Sequence, residues 1–270
     1  MNVEWDSLKA QDLRQLAEAN AVVIIPVAAI EQHGPHLPVM TDTRLGREIA
    51  IRAAQKATGD RPTVVTPVLW AGLSEHHMPF GGTLTVSHAT FRMMLRDIIT
   101  SLTRHGFRDI LISNSHGGNV IAMQQVADEL ASELPATIVA ATYAVEAAKE
   151  IGPLLDDQDG VQHACEAETS MMLAVEPDLV DAGDLGSLTN RTEESFLKAG
   201  VASYRWRPFA HLTANGVAGT PARATAAKGE AILEASAAAI AALIVDEDTW
   251  APAGDRREES LAGAAFRDMR

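Results

Sequence analysis

The feature that most constrains the fold is an alternation of short apolar runs with longer amphipathic segments in the first half of the chain. Ala21 to Val27 (AVVIIPV) is rich in β-branched residues, as expected for a buried strand. Thr41 to Gln55, with spaced apolar residues among charged ones, predicts a helix. The alternation then predicts strands over Pro62 to Leu69, Asp109 to Ser113 and Ala136 to Tyr143, and helices over His88 to Arg104 and Gly117 to Leu134. It therefore favours an α/β fold in which helices cover a mostly parallel sheet.

The second half of the chain is less regular. Helices are predicted over Cys165 to Val175 and Ala226 to Val245, and irregular segments over Ile151 to Gly160 and Glu193 to Thr225. No repeat or linker divides the chain, so we expect one domain over residues 1–245. The polar, alanine-rich stretch 246–270 predicts a mobile or partner-docked tail.

The charge balance excludes several classes of partner. The formal net charge is −14, and an acidic surface of this kind repels phosphate backbones, which argues against nucleic-acid binding. Cys165 is the only cysteine, so no internal disulfide is possible. The N-terminal segment lacks the apolar core of a signal peptide, and no stretch has the apolar length of a membrane span. We therefore expect a cytoplasmic protein that acts on a small molecule and not at a membrane.

Polar residues follow two of the predicted strands. Glu31 and His33 come after the first strand, where alternate residues of an extended chain point the same way, and Asp42 lies near the start of the next helix. His116 follows the third strand and precedes the pair Gly117 and Gly118, which allows close approach of backbone to a ligand. Each cluster alone would also fit an ordinary polar turn. Carboxyl ends of parallel strands are the usual place for ligands in such folds.

A third cluster precedes an apolar run in the predicted helix from Cys165. In a helix, His163 and Glu166 are three residues apart and share a face, whereas Glu168 points elsewhere and fits an exposed acidic helix start. Imidazole and carboxylate without a thiolate cluster suit Zn²⁺ or Mn²⁺. We therefore predict a metal site with five ligands, which could hold two ions if one carboxylate bridges: Glu31, His33, Asp42, His116 and Glu166. His163 would then act as a proton shuttle.

The polar, glycine-rich loop after the second strand is predicted to contact substrate, because loops at that edge usually bind ligands. The expected substrate-binding residues are Ser74, His76, His77, Gly117 and Gly118. Adjacent histidines diverge in most backbones, so one of the two histidines is expected to face the substrate. His211 is a further candidate for the pocket wall, and Trp206 is equally compatible with a pocket wall or a subunit contact.

Taken in this order, the motifs Glu31 to Pro38, Thr41 to Thr43, Asn114 to Asn119 and His163 to Ser170 resemble the creatininase (creatinine amidohydrolase) family. The resemblance implies a three-layer α/β/α fold and a binuclear Zn²⁺ or Mn²⁺ site bridged by Asp42. Glu31 and His116 would complete one metal position, and His33 with a further glutamate the other. His163 matches the catalytic histidine of the family. Homo-oligomers, commonly hexamers, are also implied.

One departure from the family pattern bears on the substrate. Creatininases carry a glutamate where this chain has Gly118, so we infer that Glu166 supplies the missing carboxylate. This difference argues against creatinine itself. The expected reaction is hydrolysis of a C–N bond in a cyclic amide, formamide or peptide-like substrate. The alternatives are a hydrolase that opens a cyclic ketone or lactone, as in keto-inositols, and a non-catalytic metal-binding protein.

Overall fold

A four-stranded parallel sheet lies at the centre of the computed structural model, which describes residues 2–190 and 205–252. Its strands are β1 (Val22–Val27), β2 (Thr63–Val65), β3 (Asp109–Asn114) and β4 (Thr137–Thr142). They lie in the order β2-β1-β3-β4. β1 pairs with β3 along its whole length, and its last residue, Val27, lies opposite Asn114. The loops that leave β1 and β3 therefore start side by side at one edge of the sheet.

Helices surround this sheet within the described residues. In chain order they are α1 (Ala10–Glu18), α2 (Thr41–Ala57), α3 (His88–Arg104), α4 (Val120–Glu133), α5 (Tyr143–Glu146), α6 (Ala148–Ile151), α7 (Glu166–Val175), α8 (Ala226–Val245) and α9 (Glu247–Trp250). Short 3-10 helices include Glu75–Phe80, Gly117–Asn119 and Phe209–His211. None of the described helices combines the length and apolar character needed to cross a membrane.

The two faces of β1 divide the core into two layers of packing. Ile24 faces a cluster that includes residues of α2, α7 and α8, whereas Ile25 faces a cluster built largely from α3 and α4. Both side chains are completely buried. Burial of such a side chain is worth about 1.5–3 kcal/mol, so a strand buried on both faces has to be apolar throughout. The three-layer α/β/α architecture expected from the resemblance is confirmed.

The predicted bounds of α3, His88 to Arg104, are confirmed, whereas those of β2 are not. α3 begins after Ser87, whose Oγ accepts a hydrogen bond from the Thr90 backbone N–H at 3.1 Å. The predicted strand from Pro62 to Leu69 was too long, since β2 ends at Val65. Pro67 cannot donate to a ladder, and the chain rejoins β1 only through an isolated bridge at Leu69.

The tail expected from residue 246 begins as packed structure. Trp250 in α9 is buried, and its Nε1–H donates to the Ile244 carbonyl of α8 at 3.0 Å. The Arg61 guanidinium lies over the indole ring at 5.0 Å from its centroid. Residues 253–270 of the expected tail, and residues 193–204 of the expected irregular segment, lie outside the described chain. The described part of that segment, 205–225, holds short 3-10 turns and two isolated bridge residues, Ala218 and Gly219.

Candidate metal centre

The metal ligands predicted from the first two clusters meet at the carboxyl edge of β1 and β3. Glu31, His33, Asp42 and His116 are each at most 3% exposed. The Glu31 N–H donates to the Val39 carbonyl at 3.0 Å, which folds the loop back so that the first turn of α2 lies over the strand ends. The register of β1 with β3 supplies the remaining proximity, because it places the segment after each strand side by side.

Asp42 lies between two imidazoles that approach it from opposite loops. Its Oδ1 is 3.2 Å from His33 Nε2, and its Oδ2 is 3.1 Å from His116 Nδ1. Glu31 Oε1 lies 3.3 Å from the same His116 nitrogen. Ligands at about 2.0–2.1 Å from a tetrahedral Zn²⁺ are roughly 3.4 Å apart, so these separations fit donors arranged around a cation.

The outer nitrogens of both imidazoles contact backbone carbonyls. His33 Nδ1 is 3.1 Å from the Glu31 carbonyl oxygen, and His116 Nε2 is 3.1 Å from that of Leu73. A neutral imidazole that donates through its outer nitrogen leaves the inner lone pair for a metal. Both rings are therefore oriented as ligands, with His33 offering Nε2 and His116 offering Nδ1.

The remaining carboxylate of the cluster comes from Glu168, so the prediction of Glu166 as a ligand is wrong. Glu168 is 5% exposed, its Oε2 lies 3.8 Å from His33 Nε2, and it accepts the Ala164 N–H at 2.5 Å. Glu166 instead accepts a hydrogen bond from Lys228 Nζ at 2.5 Å. The chain is not helical at His163, because Ala164 has φ +52° and α7 begins only at Glu166. The three-residue spacing used for the prediction therefore does not apply.

Several buried atoms of this cluster make no well-aligned hydrogen bond among the described residues, although two of them have a polar atom within 3.2 Å. They are Glu31 Oε2, His33 Nε2 and Asp42 Oδ2. Buried polar atoms are nearly always satisfied, so such a group needs an explanation, and a bound cation supplies one. Burial disfavours the charged form of His33, yet Asp42 raises its pKa to about 10. Burial also raises the pKa of Glu168 to about 8. Both shifts favour protonation of His33 and Glu168, and a cation bound among these donors would take the place of those protons, so the residues fit a divalent metal site.

His163 lies at the border between this cluster and the neighbouring cavity. Its Nδ1 is 3.5 Å from Glu31 Oε1, and its Nε2 is 2.8 Å from the Gln32 carbonyl oxygen. Burial and the nearby His33 lower the pKa of His163 to about 3, so the ring is neutral at physiological pH. A neutral imidazole with one nitrogen directed at the site can accept and return a proton.

A cavity of about 580 Å³ opens beside the carboxylates. Its wall includes the predicted substrate residues His76, His77, Gly117 and Gly118, and also Trp206 and Phe209. Ser74 does not line it: this residue is fully buried behind His116, with its Oγ 3.3 Å from His116 Nε2. His211 lines a separate depression together with Arg205 and Arg207. Of the two residues left open, Trp206 is therefore a cavity wall, whereas His211 lies away from the metal cluster.

Gly118 has no room for a side chain. A Cβ there would lie 2.2 Å from the Leu73 carbonyl oxygen and 2.5 Å from His116 Nε2. A glutamate here, as the family resemblance implies for creatininases, would therefore require His116 or the Leu73 backbone to shift.

Three residues of the site were not predicted from the sequence. Glu168 was assigned to an exposed helix start, and only knowledge of where α7 begins would have corrected this. Gln32 lies between two predicted ligands, and this position is the signal that could have indicated a place in the site. Phe209 packs against the rings of His77 and His163, with centroids 4.4 and 4.8 Å away, and nothing in its local sequence indicates this. Cys165 is buried and burial raises its pKa to about 11, as expected for a packed thiol.

Comparison with known proteins decides the family. The creatinine amidohydrolase family matches residues 6–244 of this chain. This chain belongs to the creatininase family. It is 32% identical to the mycofactocin precursor peptide peptidase of Mycolicibacterium smegmatis over 81% of this chain and 82% of that protein. It is 29% identical to the creatinine amidohydrolase of Pseudomonas putida over 90% of this chain and 94% of that protein.

Solved structures of creatininases have the same fold. The structure named "Creatininase Mn" superposes with a TM-score of 0.76 at 26% identity, covering 93% of this chain and 100% of that one. A mutant creatininase of "Zn-Zn type" gives a TM-score of 0.72 at 26% identity, with the same coverage. The chain is thus similar to enzymes solved with either of the two metals that its own donor set suits.

Proposed function

We propose that this creatininase-family hydrolase cleaves a C–N amide bond with water and depends on two divalent ions, Zn²⁺ or Mn²⁺. The observation that carries the proposal is the position of Asp42. Its two oxygens face different imidazoles, at 3.2 Å from His33 and 3.1 Å from His116, as required of a carboxylate that bridges two ions.

The donors divide into two sets that share this carboxylate. Glu31, Asp42 and His116 form one set, and His33, Asp42 and Glu168 the other, with the donor atoms of each set within 4.8 Å of one another. When bound, the two ions would supply Lewis acidity to the scissile carbonyl and activate a water for attack. Neither set contains a thiolate, and mixed imidazole and carboxylate donors suit Zn²⁺ and Mn²⁺ alike.

His163 is the residue that moves the proton. Hydrolysis of an amide adds water across the C–N bond, so one proton has to leave the water and one has to reach the leaving nitrogen. The His163 Nδ1 faces the metal cluster, and the low pKa of this ring keeps it neutral and able to accept that proton. The protonated ring then donates to the departing amine, and the products are a carboxylic acid and an amine.

The cavity favours a substrate larger than a single small ring. Apolar side chains form much of its wall, among them Val86, Ile121, Tyr143, Trp206 and Phe209. A volume of about 580 Å³ lies within the range of pockets that enclose ligands of drug size, and a five-membered cyclic amide would leave most of it to water. The similarity to a peptidase acting on a precursor peptide agrees with this, so we propose a peptide-like amide with apolar side chains.

The test is a substrate panel on protein loaded with Zn²⁺ or Mn²⁺. The panel contains short apolar peptides, formamides, lactams including creatinine, and a cyclic keto-sugar. We expect amine release from the peptides. Cleavage of the keto-sugar alone would contradict amide hydrolysis, and no turnover with two ions bound would favour a non-catalytic metal-binding protein.

Replacement of His163 tests its role independently of the metal. We expect His163→Gln to lower kcat by about 100-fold to 10,000-fold while both ions remain bound. His105→Gln, at the exposed end of α3, is the matched control and should keep full activity. Retention of full activity in His163→Gln would show that another group transfers the proton.

A further inference from the structure

Gln32 contacts both histidines that border the metal cluster without itself being a candidate ligand. It is 7% exposed and lies between Glu31 and His33 in the loop after β1. Its side-chain Oε1 accepts the Gly34 N–H at 2.9 Å, which fixes which end of the amide is oxygen. Its Nε2 therefore faces His77 Nδ1 at 2.7 Å and the Gly216 carbonyl oxygen at 3.3 Å, and it lies 3.1 Å from His163 Nε2. Both amide hydrogens thus have acceptors.

These contacts decide the tautomer of His77. Because Gln32 Nε2 can only donate, His77 Nδ1 has to accept and its proton has to be on Nε2. That Nε2 lies 3.3 Å from Glu31 Oε1. His77 is therefore a hydrogen-bond donor to a ligand carboxylate, although its distance alone would also fit a metal ligand.

The backbone of the same residue decides the tautomer of His163. The Gln32 carbonyl oxygen can only accept and lies 2.8 Å from His163 Nε2, nearer than the Gln32 amide nitrogen at 3.1 Å. Because the amide hydrogens are directed at His77 and Gly216, we assign the ring proton to His163 Nε2. The nitrogen left for the reaction is Nδ1, which faces Glu31 Oε1. We propose that Gln32 is a positioning residue that fixes His77 and His163 in the Nε2–H form, which makes His77 a donor to Glu31 and His163 a proton acceptor through Nδ1.

The loop that carries Gly216 holds the amide in place. A Cβ at Gly216 would lie 2.0 Å from Gln32 Oε1, so only glycine leaves room for this side chain. The Asn215 Oδ1 accepts the Val217 N–H at 3.1 Å and keeps the turn compact. Gly216, in the segment that follows Phe209, thus contacts Gln32, and Gln32 in turn contacts His163. Gln32 therefore lies between the cavity wall and the metal cluster.

The experiment measures where the ring protons are. Solid-state ¹⁵N spectra of the Zn²⁺-loaded protein, labelled at histidine, distinguish protonated from unprotonated ring nitrogens. Signals of His77 and His163 are assigned from the variants His77→Gln and His163→Gln. In the parent we expect both rings to carry the proton on Nε2. A parent in which His77 Nδ1 is protonated would overturn the proposal.

The decisive variant is Gln32→Glu, which replaces the amide donor with a carboxylate that only accepts. We expect His77 Nδ1 to become protonated and kcat to fall by about 10-fold to 100-fold with both ions retained. Gln55→Leu, on the exposed side of α2, is the control for the labelling and assay and should match the parent. An unprotonated His77 Nδ1 in Gln32→Glu would overturn the proposal.

A second variant keeps Gln32 and moves its amide. In Gly216→Ala the Gln32 amide should lose its contact with His77, and His77 Nδ1 should become at least partly protonated. Gly106→Ala is the matched control. Its φ of +99° gives backbone strain comparable to that at Gly216, where φ is +80°, but the nearest atom to a Cβ at Gly106 is 3.7 Å away. Equal ¹⁵N spectra of parent and Gly216→Ala would contradict the proposal even if Gln32→Glu did not fold. The His163 part rests on the proposed function, but ring protonation is measured without substrate, so failure of one is distinguishable from failure of the other.

Discussion

Two buried carboxylates lie two residues apart in the first turn of α7, and their surroundings are opposite. Glu166 is fully buried and accepts from Lys228 Nζ at 2.5 Å and from the Asp156 N–H at 3.2 Å. Glu168 faces the other way and shares a pocket with Asp42 and His33. Among the described residues its ion-pair partner there is the His33 imidazole, and no lysine or arginine pairs with it. One carboxylate thus has a permanent counter-ion within the chain, and the other does not.

This difference separates a structural ion pair from a binding site. A buried carboxylate beside an ammonium is already neutralised, so its removal affects folding. Several carboxylates held together with unsatisfied oxygens carry excess negative charge, and a cation from outside relieves it. The two neighbours should therefore respond in opposite ways to substitution and to metal.

The largest effect is expected at the carboxylate between the two donor sets. Asp42→Ala should lose both ions and lower kcat/KM by at least roughly 1,000-fold, because several kcal/mol of transition-state stabilisation depend on the metals. Elemental analysis of the purified variant, together with the peptide assay, measures both quantities. If Asp42→Ala still held two ions per chain, Asp42 would not be a shared metal ligand.

A smaller effect is expected at Glu168. Glu168→Gln should lower the metal content by about one ion per chain and kcat/KM by about 100-fold, since one donor set keeps all its residues. The melting temperature of this variant without metal should not fall. Burial disfavours the charged form of Glu168 and raises its pKa to about 8, and a neutral amide does not carry that cost. A full metal content would place Glu168 outside the site.

Removal of metal should affect the parent but not the variant that binds none. At 100 Kd of free metal each ion stabilises the fold by about 2.7 kcal/mol, and two ions by about 5.4 kcal/mol, so excess chelator should lower the melting temperature by roughly 10–20 °C. Calorimetry with and without chelator measures this change. The Asp42→Ala variant is the control and should show no shift. An equal shift in both proteins would mean that the stabilising ion is bound elsewhere.

The smallest expected effect on activity is at Glu166. Glu166→Gln leaves the Lys228 ammonium without its buried partner, which should lower the free energy of unfolding by about 2 kcal/mol. The loss is smaller than for a fully buried pair because Lys228 remains partly solvated. Metal content and kcat should stay at parental values. The double variant Glu166→Gln, Lys228→Met should recover part of the stability. Loss of one ion in Glu166→Gln would restore it as a ligand.

The chain sequence was sufficient for most of the fold. The apolar, β-branched run at Ala21 to Val27 predicted a buried strand, and the spacing of apolar residues predicted the start of α3 at His88. The Ser87 side chain caps that helix by accepting the Thr90 N–H. The position of Glu31, His33, Asp42 and His116 at one sheet edge also followed, since parallel strands direct their carboxyl ends to the same side. These features depend on local chemistry and on a repeated topology.

What the sequence by itself determined is four of the candidate metal ligands and their place in the segments that follow β1 and β3. Only the tertiary structure decided which glutamate joins them and that Gln32 contacts both His77 and His163. The reason is a single turn: Ala164 adopts a left-handed conformation, which ends the extended segment at His163 and starts α7 late enough to direct Glu168 inward. A rotation of about 200° separates two residues that are two positions apart in a helix, so an error in where the helix starts changes which side chain reaches the site.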